Sequence, residues 1–194
     1  MALPAYIDAT TGAITDGEAW VGIATTTLGS DTATVTFTSP DDGSSTDWSQ
    51  FMDLVLVSYA RATGAVTDTE LAFRFNNDTG SNYLYQKFRG DGSSVTSSTA
   101  PYSFVMGGRI TGASAGANIF GATISHLFDI NSGKYKLGLF QAAADQDGAG
   151  WAVINAVTWQ SQAAITEIDI FAESGLLKDE SRFDLFGVLP RMVA

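Results

Sequence analysis

A chain of 194 residues with 45% hydrophobic and 16% charged residues has the composition of a folded domain, and only four prolines leave no Pro-rich linker. Its 21 acidic against 10 basic residues give a formal net charge of −11, which repels phosphate backbones and anionic membrane surfaces, so neither nucleic acid nor membrane is an expected partner. With no cysteine, disulfides, thiolate nucleophiles and cysteine-ligated metals are excluded.

The chain opens with MALPAYIDATTGAITDGE, small and weakly apolar, with Leu3, Tyr6, Ile7 and Ile14 spread through it. It lacks the basic and apolar regions of a signal peptide, and no apolar run in the chain approaches the ~20 residues of a membrane-spanning helix. These features read as an extended N-terminal arm over residues 1–18, with residues 19–194 forming one domain. The four apolar arm residues are expected to contact a neighbouring chain, and the final PRMVA is a weaker candidate for the same role.

Beyond the arm the dominant period is two. TATVTFT is followed by the polar loop PDDGSSTDW, in which DWSQF can form one helical turn, and then by DLVLVSYAR, apolar on both faces like a central strand. ELAFRFN and NYLYQKF flank the cluster NNDTGSN, and RGDGSSVTSSTAP reads as a second long polar loop. YSFVMGGRI carries Gly107 and Gly108 where a strand would bulge. ATISHLFDI, KYKLGLF, WAVINAVTW, ITEIDIF and RFDLFGV complete about ten short strands rich in threonine and aromatics, with turn residues between them. That density predicts an all-β fold, an antiparallel β-sandwich of jelly-roll type.

NNDTGSN poses the first functional question. Asn76, Asn77, Asp78, Ser81 and Asn82 could supply oxygen ligands to calcium, or hold a sugar beside Tyr83 and Tyr85. The preferred reading is a β-hairpin turn, with Asx-turns at Asn and Asp and a positive φ at Gly80. DQDGAG lacks the further acidic ligand and flanking helices of a calcium loop and reads as a turn. Asn77-Asp78-Thr79 spells a glycosylation sequon and Arg89-Gly90-Asp91 an adhesion tripeptide, and neither short match carries weight.

Enzyme chemistry has little to build on. His126 is the one histidine, no G-x-S-x-G elbow accompanies it, and a histidine-rich zinc site is impossible. Phosphate-binding glycine motifs are absent, so neither an enzyme nor a cofactor is expected.

Asp53 to Val57 (DLVLV), then Leu71 to Asn76 ending in R-F-N, then Asp78 to Tyr83 (DTGSNY) resembles a family of virion structural proteins of tailed bacteriophages, marine ones in particular. The closing Phe183-Asp184-Leu185-Phe186-Gly187-Val188 is similar to that family's chain end. The resemblance runs loosely from Trp20 to Val188, and departs at Asn77, where many relatives carry glycine, which bears on the turn type. It implies a β-sandwich on a phage particle, with no catalytic site to carry over. The implied partners are the major capsid protein or other virion proteins, with the chain made in the host cytoplasm and placed on the outer surface of the virion. Capsid decoration as a homo-oligomer is the preferred role. The alternative is a tail or fibre-associated module that binds host glycan, using Tyr83, Tyr85, Tyr102 or Trp48 as stacking platforms.

Overall fold

Alternating β-branched, aromatic and polar residues build twelve strands in the computed structural model, which describes residues 20–146 and 149–189. They are β1 (Trp20–Thr27), β2 (Val35–Thr38), β3 (Asp53–Ala60), β4 (Asp68–Phe75), β5 (Tyr83–Gly90), β6 (Val95–Tyr102), β7 (Val105–Thr111), β8 (Gly121–Phe128), β9 (Lys136–Asp145), β10 (Gly150–Trp159), β11 (Glu167–Ala172) and β12 (Arg182–Val188). The expected helical turn is a 3-10 turn at Trp48–Gln50, capped by Asp47, whose carboxylate accepts from the Ser49 amide. Leu3, Tyr6, Ile7 and Ile14 lie outside the described residues, as do Asp147, Gly148 and the last five residues.

One sheet runs β2-β11-β4-β7, and the other β1-β12-β3-β8-β9-β10-β5-β6. Every pairing between strands is antiparallel. The orders β1-β12-β3-β8 and β2-β11-β4-β7 are those of an eight-stranded jelly roll, in which early and late strands pair alternately across two packed sheets. Two hairpins are added to that frame. β5–β6 enters between β4 and β7, β9–β10 enters between β8 and β11, and both extend the larger sheet beyond β8.

The inward faces meet in a main core, with Leu54, Leu56, Phe73, Phe75, Phe140 and Phe183 all buried, and Ala142, Trp151 and Val153 form a smaller separate cluster. Each such side chain contributes about 1.5–3 kcal/mol relative to an exposed one. The bulge falls where the glycines predict it. Glu70 pairs with Arg109 and Ala72 with Met106, so Gly107 and Gly108 together face one residue of β4. Gly108 has φ 121°, and a Cβ there would meet the Ala142 Cβ at 2.6 Å. Glycine is required at that position both by backbone angle and by space.

Two expectations are corrected. NNDTGSN is not a hairpin turn, because β4 lies in the smaller sheet and β5 in the larger one, so the loop arches between sheets. The alternation on either side of a turn is the same in both cases. RGDGSSVTSSTAP is not all loop either, since Val95–Tyr102 forms the edge strand β6. Its residues are exposed on nearly every position, so no core face imposes an apolar period on them. The other edge, β1, is equally weakly patterned and was not anticipated from its Thr-rich sequence.

Candidate functional site

The inter-sheet arch is built from its own polar side chains. Asn76 and Asn77 both take left-handed backbone, with φ 51° and 57°, and Gly80 does not, so the two asparagines make the turn. The Asn76 carboxamide oxygen accepts from the Thr166 and Glu167 amides, while its Nδ2 donates to the Ala164 carbonyl. The side-chain amide of Asn77 donates to Glu167. Asp78 accepts from the Gly80 amide at 2.8 Å, from Asn82 Nδ2 at 3.0 Å and from the Trp159 indole at 2.7 Å. Burial opposes the Asp78 charge, but those donors outweigh it and hold the carboxyl below its ordinary value.

Tyr83 is buried, accepts from the Phe75 amide at 3.2 Å and donates to the Asp78 carbonyl at 3.0 Å. Burial pushes its phenol up to about 12. Its ring stacks on Trp159 inside the core rather than facing solvent. Tyr85 and Trp48 are also buried, and Tyr102 is half-buried against Tyr85 and Phe104. Ser81 and Asn82 are exposed at the arch tip. Asn76 and Asp78 therefore commit their polar atoms to the protein itself, and Trp48, Tyr83 and Tyr85 offer no face for sugar stacking.

The remaining motifs are used structurally. Arg89 pairs with Asp68 at 3.0 Å. Asp91 caps the β5–β6 turn by accepting from the amides and hydroxyls of Ser93 and Ser94, which depress its pKa, the backbone donor of Ser94 most of all. His126 Nε2 lies 3.0 Å from Asp53 Oδ2, with its ring stacked on Phe128 at 4.1 Å. No hydroxyl nucleophile is hydrogen-bonded to it among the described residues. No group of three or more metal-ligating side chains occurs among them either.

Sequence spacing gave no hint of an ion cluster at the far end of β4. Glu70, only 2% exposed, takes Lys87 at 2.8 Å and Arg109 at 3.0 Å, and Asp68 takes Arg89 and Arg109. These pairs clip the added β5–β6 hairpin onto the smaller sheet, and they hold Arg109 above its ordinary pKa despite its burial.

The most distinctive surface is the outer face of the larger sheet. Register aligns its outward side chains in four rows that cross β8, β9, β10, β5 and β6. They are Phe128–Leu137–Thr158–Leu84–Pro101, His126–Leu139–Ala156–Gln86–Thr99, Ile124–Gln141–Ile154–Phe88–Ser97 and Ala122–Ala143–Ala152–Gly90–Val95. Leu137, Phe88, Ile124 and Ile154 are each about half exposed, at 54%, 52%, 47% and 47%. None of the four rows contains an acid, a lysine or an arginine, in a chain of net charge −11. A shallow hollow of about 390 Å³ lies between the alanine row and the isoleucine row. Contiguous apolar surface of this extent marks an interaction site on a folded protein.

Among the described residues no helix is long and apolar enough to cross a membrane. Comparison with family models, with curated proteins and with solved structures returns no match.

Proposed function

We propose that this chain is a structural subunit of a bacteriophage particle, a capsid decoration protein on the outer surface. The observation that carries the reading is the uncharged patch on the outer face of the larger sheet, four rows across β8, β9, β10, β5 and β6. An acidic chain that keeps four adjoining rows across five strands free of acids, lysine and arginine is made to work against another protein surface rather than on a small substrate. Jelly rolls recur in capsid proteins and in lectins, which fits a particle role at the level of architecture. The resemblance at DLVLV, RFN and DTGSNY adds the phage assignment. Strong negative charge on the remaining surface suits the outside of a particle, away from packaged nucleic acid.

The tail-module alternative depends on accessible aromatics beside polar loops. Trp48, Tyr83 and Tyr85 are buried, so decoration is the better-supported role. Co-sedimentation of the full chain with purified tailed-phage capsids tests the reading. Saturable binding at a fixed ratio to capsid protein is expected. A chain that stays in the supernatant at all concentrations, or that binds a glycan array and not capsids, overturns it.

A further inference from the structure

We propose that the outer face of the larger sheet packs against the same face of a second copy of this chain, across a two-fold axis. The inference rests on the geometry of the face and stands independently of the phage assignment.

Charge restricts the occupant first. A partner that brought carboxylates or ammonium groups onto these rows would bury them without counter-ions, which costs several kcal/mol each. A matching surface must itself be broad, apolar and uncharged. This face is such a surface, whereas Met52, Val66 and Leu176 are single exposed apolar residues in separate loops.

Size is the second argument. Strands ~4.8 Å apart, with outward residues every ~6.7 Å, give five strands and four rows a projected area of roughly 500 Å². Side-chain relief raises the accessible area towards the ~800 Å² that each partner contributes to a standard interface.

Relief is the third argument, and it selects self-pairing. The alanine row (Ala122, Ala143, Ala152) is low, and the row at the other end of the face presents Phe128, Leu137 and Leu84 as a ridge. A two-fold axis in the plane of contact, midway between the His126 row and the Ile124 row, places that ridge over the alanine hollow of the other copy and covers all four rows, with the next outward row, which holds Asp145, outside the contact. Every contact then occurs twice, as an isologous interface requires. Sheets packed in this way sit ~10 Å apart, the spacing already used inside the sandwich.

Sedimentation of the full chain over a wide concentration range tests the pairing. A monomer–dimer equilibrium is expected, and it strengthens with salt, because each copy carries net charge −11 that salt screens while the apolar contact persists. Ile154→Glu and Ile124→Glu each introduce two buried charges per dimer and should weaken association by roughly tenfold or more, with circular dichroism unchanged. Val66→Glu, off the face, should leave it intact. The chain has no cysteine, so Gln141→Cys on the face and Thr38→Cys on the opposite sheet are clean single sites for a short bifunctional cross-linker. Joining through Gln141→Cys alone supports the proposal. A monomer at every concentration, or joining through Thr38→Cys and not Gln141→Cys, overturns it, as does a face covered only when a different protein is added.

Discussion

The Trp159 indole donates to Asp78 Oδ2 at 2.7 Å, joining residues 81 positions apart. Trp159 ends β10 in the larger sheet, and Asp78 sits in the arch that leaves the smaller sheet, so this bond fixes where the chain crosses between layers. Hydrogen bonds to a charged carboxylate contribute about 1.5–3 kcal/mol. Asp78→Ala should therefore destabilise the fold by about 2 kcal/mol, read by thermal or urea unfolding. The carboxyl is held below its ordinary 3.8, so its contribution is complete above that value and is lost as pH falls through the lower folded value. Wild-type stability should decline on acidification in that window, and Asp78→Asn should flatten that part of the profile.

Tyr83 supplies a second test of the arch. Its phenol is pushed up to about 12 by burial, so ultraviolet titration of the folded chain should leave this tyrosine un-ionised until the most alkaline pH. Tyr83→Phe removes the acceptor of the buried Phe75 amide and should cost about 1 kcal/mol.

The ion cluster predicts an asymmetric mutational response. Glu70→Ala leaves Lys87 and Arg109 without their shared acceptor in a poorly hydrated site and should cost about 3 kcal/mol. Adding Lys87→Met to it should recover part of the loss, because the second change removes one stranded charge. Urea unfolding of the two variants in parallel decides this.

At the bulge, Gly108→Ala combines φ 121° with a 2.6 Å approach to Ala142 and should destabilise by about 2–3 kcal/mol. Gly22→Ala is the control, since nothing lies within 4 Å of a Cβ there.

Much of the architecture was legible in local sequence, for reasons that explain what was missed. The ten strands anticipated from alternation or, for β3, from an apolar run each hold a face in the core, as Phe73 and Phe75 do in β4. β1 and β6 lie at the edges of the larger sheet with little buried side chain, so Thr26 or Ser98 carries no periodic signal. The destination of the chain after NNDTGSN depends on which sheet Tyr83 joins, a pairing with Trp159 far along the chain. Burial of Tyr83 and Tyr85 follows from that choice and was equally illegible. The uncharged face left a trace, because LGLF within KYKLGLF and WAVI within WAVINAV are apolar at both parities. Only the register that sets Leu139 beside Ala156 and Gln141 beside Ile154 turns that trace into a continuous surface.

The central claim is that this face is covered when the protein works. Hydroxyl-radical footprinting of the full chain, free and with capsids, measures that directly at Phe88, Leu137, Leu139 and Ile154, with exposed Leu176 as the internal reference. The account predicts labelling of the four face residues well below that of Leu176, rising when Ile154→Glu is introduced or the chain is diluted. Labelling at the face equal to Leu176 under every condition, with and without capsids, would contradict it.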